Sequence, residues 1–319
     1  MNSSAPTPST ASPKQSPVAR VDQPEISGPR TSSLLAFAGD IKLTHTIFAM
    51  PFALLSAFLA AGGLPHAGVL VLIILCMILA RSFAMGMNRL VDSRLDALNP
   101  RTAGRAIPAG RLAFRAAVTI TLACAAIFVL ATSLFYFIFD NPWPLAFSGP
   151  ALFFIGVYPY FKRFTSLVHY WLGLALGLAP ICAWIAVSGL PHSFVPVLLG
   201  AAVMCWTAGF DMLYATQDYA SDLATGVSSM PARIGIGPAL WVARLTHVAA
   251  VILFIASGMI SPSLDAIWFT TIGVVCVLLI IEHRAVRADD LSKLNLAFFT
   301  LNGVIALLLG AAGIVDVLT

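Results

Sequence analysis

Charge is scarce in this chain. Asp, Glu, Lys and Arg make up 10% of its 319 residues, against the roughly 25% typical of a soluble domain. That deficit excludes a fully water-facing surface. Cysteine is thin as well: Cys76, Cys124, Cys182, Cys205 and Cys276 all lie within apolar runs, and no CxxC pair occurs. This speaks against a disulfide framework or a thiolate metal site and leaves five small packing residues. Residues 1–33 lack the apolar h-region expected of a signal peptide. Rich in Ser, Pro, Thr and Ala, they read as a disordered tail, and Asp22 and Glu25 argue against a transit peptide. No convincing Ser–His–Asp or Cys–His set for covalent catalysis is present.

What the chain has is apolar length. Hydrophobic residues make up 59%, and the mean hydropathy is +0.91. At about 20 apolar residues per bilayer crossing, nine crossings need roughly 180. The fold class is therefore all-α integral membrane, with residues 34–319 forming one domain of nine transmembrane helices. The apolar runs predict helices at roughly 44–62, 68–91, 114–136, 143–160, 167–188, 194–217, 238–259, 264–283 and 294–315. Prolines inside the fifth and sixth suggest kinks.

The scarce positive charge is sorted by side. Joints after odd-numbered helices (63–67, 137–141, 189–193 and 261–263) contain no Lys or Arg. Joints after even-numbered helices carry Arg94, Arg101, Arg105 and Arg111, then Lys162 and Arg163, then Arg233, then Arg284, Arg287 and Lys293. Lys14, Arg20, Arg30 and Lys42 precede the first helix. The positive-inside rule then places the amino terminus and every even-to-odd joint in the cytoplasm of a cell whose inner membrane holds the protein. The net charge of +4 is thus topological. The expected partner is a lipid bilayer and not a nucleic acid, and oligomeric state is left open.

The carboxylates are concentrated at two helix ends. The second helix closes on Asn88, Asp92 and Asp96, spaced i, i+4, i+8 along one face, with Arg81 two turns earlier at membrane depth. The sixth closes on Asp211, Tyr214, Asp218 and Asp222, spaced by three, four and four. Both lie at the cytoplasmic face. Carboxylates stacked on adjacent turns repel unless a cation compensates. Oxygen donors without His or Cys suit Mg2+, or Mn2+, which takes one or two carboxylates and completes its shell from water and substrate phosphate. The bland alternative is a set of solvated helix ends. Lys162, Arg163 and Arg105 lie in the neighbouring joints, where they either set topology or neutralise a diphosphate. His45, near the start of the first helix, is either an interfacial hydrogen-bonding residue or a contact to a bound ligand. An ion-coupled transporter is the rival of another class, but its carboxylates belong near the bilayer midplane rather than at one face.

Taken together, NxxxDxxxD from Asn88, RTxxRxIPxG from Arg101, YPxxKRxT from Tyr158 and DxxYxxQDxxxDxxxGxxSxPxRxG from Asp211 resemble the UbiA superfamily of intramembrane aromatic prenyltransferases. Within it the chain most resembles the 4-hydroxybenzoate polyprenyltransferase group, from about Lys42 to the carboxyl terminus. The resemblance implies helices around a central cavity open laterally to lipid. It implies Asn88, Asp92, Asp96, Asp218 and Asp222 at the magnesium–diphosphate positions. Arg81, Lys162 and Arg163 would neutralise the diphosphate, and Asp211 and Tyr214 would face the cavity. Asp92, Asp218, Asp211 and Arg81 are the expected catalytic set. The implied partners are a polyprenyl diphosphate and an aromatic acid of quinone biosynthesis. One departure stands out: Arg89 follows Asn88 where many relatives have Asp. With the stretch 42–51, it is similar to a branch proposed for menaquinone synthesis by the futalosine route, which leaves the acceptor open between 4-hydroxybenzoate and a dihydroxynaphthoate.

Overall fold

The computed structural model describes residues 32–41, 48–287, 291, 294 and 296–319. The expected tail up to residue 31, Lys42 and His45 lie outside the described residues. Among the described residues every regular element is helical: α1 (Ser33–Ile41), α2 (Met50–Ala61), α3 (Ala67–Leu98), α4 (Phe114–Phe139), α5 (Trp143–Phe161), α6 (Val168–Ser188), α7 (Val195–Ala215), α8 (Tyr219–Thr225), α9 (Met230–Ile234), α10 (Ile236–Ile260), α11 (Ala266–Ala285) and α12 (Asn302–Leu318). Eight of the described helices are long and apolar enough to cross a membrane. The apolar α2, 12 residues long, occupies the place of the first expected span.

Helix α7 is the hub. Leu199, Ala202, Val203, Trp206, Ala208 and Met212 on it are completely buried, and it packs against both α6 and α10. The α6–α7 crossing is close because it is built from glycines. A Cβ on Gly173 or Gly177 would run into the carbonyl oxygens of Met204 and Gly200, which are backbone and cannot swing aside. This is how small residues let membrane helices approach where lipid offers no hydrophobic drive. Gly177→Val is therefore expected to destabilise the protein by about 3 kcal/mol or more, read as a fall in the thermal midpoint of the detergent-solubilised chain. Gly149→Ala on α5, where an added Cβ meets nothing within 4 Å, is expected to leave that midpoint in place.

Two expectations are corrected. Pro180 does lie inside α6, but Pro196 sits in the first turn of α7, where a missing N–H is no loss, so it starts that helix instead of kinking it. The second acidic stripe is also not one straight helix. After Ala215 the chain tightens into a 3-10 turn, Thr216–Asp218, before α8 begins. Thr216 donates to the Leu213 carbonyl at 2.6 Å and Gln217 to that of Tyr214 at 2.9 Å, satisfying acceptors that the helix end leaves open. By contrast α3 runs unbroken past residue 91 to Leu98, so Asn88, Asp92 and Asp96 do share one helix.

Candidate active site

Asp92 and Asp96 on α3 are 1% and 5% exposed, and carboxylates that deep require partners. The partners come from distant segments. Lys162, at the end of α5, pairs with Asp92 Oδ2. Arg105, in the α3–α4 loop, donates to Asp96 Oδ1 at 2.6 Å. Each carboxylate still has one buried oxygen, Asp92 Oδ1 and Asp96 Oδ2, with no partner among the described residues.

The second motif is held the same way. Arg101 grips Asp218 with a two-pronged contact of 2.8 and 2.5 Å, and Asn99 adds a third bond at 2.9 Å. Burial works against the charge on Arg101, but the hydrogen bond and charge of Asp218 outweigh it and hold the guanidinium above its usual pKa. Since Asn99 and Arg101 directly follow α3, these contacts bring the two acidic motifs together. Asp222 accepts from the Ser229 hydroxyl at 2.6 Å, and the same hydroxyl caps α9 by accepting from Ala232 N–H. The Lys162 carbonyl accepts from Ser228 N–H at 2.7 Å, tying the α5 end to that segment. Asp211 lies 2.7 Å from His169 Nδ1.

The surprise is the pairing. Lys162 and Arg105 are the expected diphosphate ligands, yet here they neutralise the α3 carboxylates. Arg163 turns away, donating to the Val91 carbonyl at 2.9 Å, and does not line the cavity described next. Arg81 is the exception in the other direction. It lies inside α3, its Nε is buried without a partner, and no described carboxylate forms an ion pair with it.

A cavity of about 470 Å³ opens between these elements, with Arg81, Asn88, Arg101, Arg105, Asp211 and Tyr214 in its wall. Against it lies an apolar cavity of about 200 Å³ among α3, α4, α5 and α6. Arg81, Met85, Tyr158, Leu172 and Leu176 line both. The polar and apolar spaces therefore meet at a guanidinium. Tyr214 stacks on Phe298 at 4.0 Å between centroids and lies under Arg101 at 5.5 Å.

Three residues lay outside the expected site set. Asp40 of α1 pairs with Arg89 (3.3 Å) and accepts from Ala106 N–H at 3.0 Å, joining α1, α3 and the α3–α4 loop. Arg89 also donates to Asn88 Oδ1 at 3.0 Å. The Asn88–Arg89 departure was the signal available for this pair, but the counter-charge 49 residues upstream has no local pattern. The third, His169, is a lone His in an apolar run.

The donors suit a hard divalent cation. Asp92 and Asp96, each with one buried oxygen lacking a partner among the described residues, sit one turn apart on α3. No cluster of three His, Cys, Asp or Glu residues arranged for a metal occurs among the described residues. Such a pair fits a metal whose remaining ligands are phosphate and water.

A multi-pass, all-helical membrane protein with a charge-lined pocket opening onto an apolar one is the class that this architecture defines. Residues 49–304 match the UbiA prenyltransferase family, and the chain belongs to that family and is a prenyltransferase. It is 34% identical over 207 residues to the 4-hydroxybenzoate octaprenyltransferase of Vibrio atlanticus, covering 64% of this chain and 69% of that one. It is similar to the apo structure of a UbiA homolog from Aeropyrum pernix K1, with 31% identity and a TM-score of 0.76 over 86% of this chain and 98% of the other. A UbiA homolog from Archaeoglobus fulgidus, bound to DMAPP and Mg2+, shares the fold at 20% identity and a TM-score of 0.70, over 90% of this chain and 99% of that one.

Proposed function

We propose that this prenyltransferase moves a polyprenyl group from a polyprenyl diphosphate onto an aromatic acid of the 4-hydroxybenzoate type, with Mg2+ as cofactor and Mn2+ as an alternative. The site faces the cytoplasm from the cell inner membrane, on a ubiquinone or menaquinone route. The observation that carries this reading is the junction at Arg81. A cation with no carboxylate partner among the described residues, placed where a polar cavity meets an apolar one, matches a ligand with an anionic head and a long hydrocarbon tail.

The residues divide the work. Arg81 meets the diphosphate as a bidentate donor. Phe128, Phe135 and Phe147 are among the apolar residues beside the tail. Asp92 and Asp96 hold a divalent ion through their orphan oxygens, and Asn88, Asp218 and Asp222 complete the expected ligand set. When bound, the ion supplies Lewis-acid charge that stabilises the departing diphosphate. Lys162, Arg101 and Arg105 keep the carboxylates paired before substrate arrives and add positive charge around the head. Asp211 and Tyr214 line the wall open to the acceptor ring. His45, outside the described residues, is kept as a candidate acceptor contact. One observation favours a dihydroxynaphthoate acceptor as the second reading: Arg89, which departs from the family pattern, is in the cavity wall beside Asn88.

Membranes containing the protein, given a polyprenyl diphosphate, Mg2+ and either 4-hydroxybenzoate or a dihydroxynaphthoate, are expected to yield one prenylated acid detectable by mass spectrometry. Chelation with EDTA is expected to stop product formation, and restored Mg2+ to recover it. Product formed at full rate in excess chelator would remove the metal from this scheme, and no product with any aromatic acid would remove the acceptor class.

A further inference from the structure

We infer that His169 is a positioning residue for prenyl transfer, holding the Asp211 carboxylate at the cavity wall as acceptor of the proton that leaves the aromatic ring. This inference rests on the function proposed above.

His169 stands in the first turn of α6 and is 2% exposed. Both ring nitrogens are engaged. Met230 N–H donates to Nε2 at 3.1 Å, and Nδ1 lies 2.7 Å from Asp211 Oδ2. The backbone donor settles the tautomer. Nε2 must carry a lone pair, so the ring hydrogen sits on Nδ1 and is donated to Asp211. An imidazole in this state has no free lone pair with which to take a proton from Asp211. It orients the carboxylate and does not relay its proton. Asp211 itself keeps 23% of its side chain exposed and lines the polar cavity with Tyr214 and Thr207.

The second arm of the same ring reaches α9. Met230 follows Ser229, whose hydroxyl donates to Asp222. One imidazole thus sets Asp211 on α7 against the segment that holds Asp222, across the 3-10 turn that interrupts the acidic stripe. Without this bridge the turn would leave the two ends of the motif to separate elements.

The step served is balanced. The C1–O bond of the allylic diphosphate breaks and its electron pair leaves with the diphosphate. A ring carbon beside the phenolic oxygen forms a bond to C1. The hydrogen on that carbon passes as a proton to Asp211, and the C–H electron pair restores the aromatic ring. Small errors in the base position are costly in such a step, since about 1 Å of misplacement is worth roughly a hundredfold in rate.

The test uses the full chain in detergent with polyprenyl diphosphate, Mg2+ and the acceptor that the wild type prenylates. His169→Leu is expected to lower kcat roughly 10- to 100-fold, with KM for the diphosphate within about twofold of wild type. His169→Gln, whose amide offers one donor and one acceptor, is expected to recover kcat to within about threefold. In an Asp211→Asn background, His169→Leu is expected to cost nothing further. A kcat unchanged by Leu, or the same Leu penalty on the Asp211→Asn background, overturns the inference. Should Leu prevent folding, His169→Asn keeps the arm toward Asp211 but falls short of Met230. It is expected to turn over like the Gln variant, and a folded Asn variant as slow as Asp211→Asn overturns the proposal. A wild-type chain that prenylates no aromatic acid overturns the proposed function and this inference with it. An active wild type that is indifferent to His169 overturns the inference alone.

Discussion

Asp92→Asn is expected to reduce prenyl transfer by about a thousandfold or more, roughly 4 kcal/mol of transition-state stabilisation, while the protein still inserts and folds. The size follows from burial. Asp92 is 1% exposed and offers one oxygen to Lys162 and one, Oδ1, to nothing among the described residues. Buried oxygens are rarely left without a partner unless a ligand or ion supplies one. The amide keeps the shape of the side chain but removes the charge that would hold a divalent ion. Folding is expected to survive, because Lys162 is 23% exposed and can turn its ammonium toward water. Product would be followed by mass spectrometry and folding by the thermal midpoint in detergent. Turnover within tenfold of wild type in the Asn variant would sink the metal assignment.

The second large effect runs in opposite directions for activity and stability. Arg81→Met is expected to lower kcat/KM for the polyprenyl diphosphate by roughly 100- to 1,000-fold, mostly through weaker diphosphate binding. The same change is expected to raise the thermal midpoint of the ligand-free protein. Arg89, Arg101, Arg105 and Lys162 each have a carboxylate within ion-pair distance. Arg81 has none among the described residues, and its Nε is buried without a partner. A desolvated cation without a counter-ion costs stability, so an apolar replacement of similar length relieves about 1–3 kcal/mol. In wild type, added polyprenyl diphosphate should raise the midpoint, and in Arg81→Met that ligand shift should shrink. A midpoint that falls in the Met variant while the ligand shift persists would show that Arg81 serves the fold and not the substrate.

Much of this was readable from the chain before any coordinates. Hydropathy located the membrane segments, because about twenty apolar residues have few other uses. The i, i+4 spacing of Asp92 and Asp96 survived because α3 is one helix through both. The straight stripe from Asp211 to Asp222 failed because a local spacing rule assumes that the helix continues, and the chain tightens at Thr216–Asp218. Pro196 was misread for a related reason, since a proline's effect depends on whether it falls in the first turn or the interior. The Asp40–Arg89 pair and the His169–Asp211 contact were out of reach, being 49 and 42 residues apart in the chain with no periodicity to betray them.

The sequence by itself determined the membrane class, the sorting of basic residues into alternate joints and the two acidic motifs. These follow from composition and from distances along one helix, which depend on nearest neighbours alone. Only the tertiary structure decided that Lys162 and Arg105 answer the α3 carboxylates, that Arg101 grips Asp218, and that Arg81 is left facing both cavities. Those partnerships depend on how the helices cross. The crossings depend in turn on steric details such as Gly173 and Gly177 against the α7 backbone, where one added methyl group would change which charges meet.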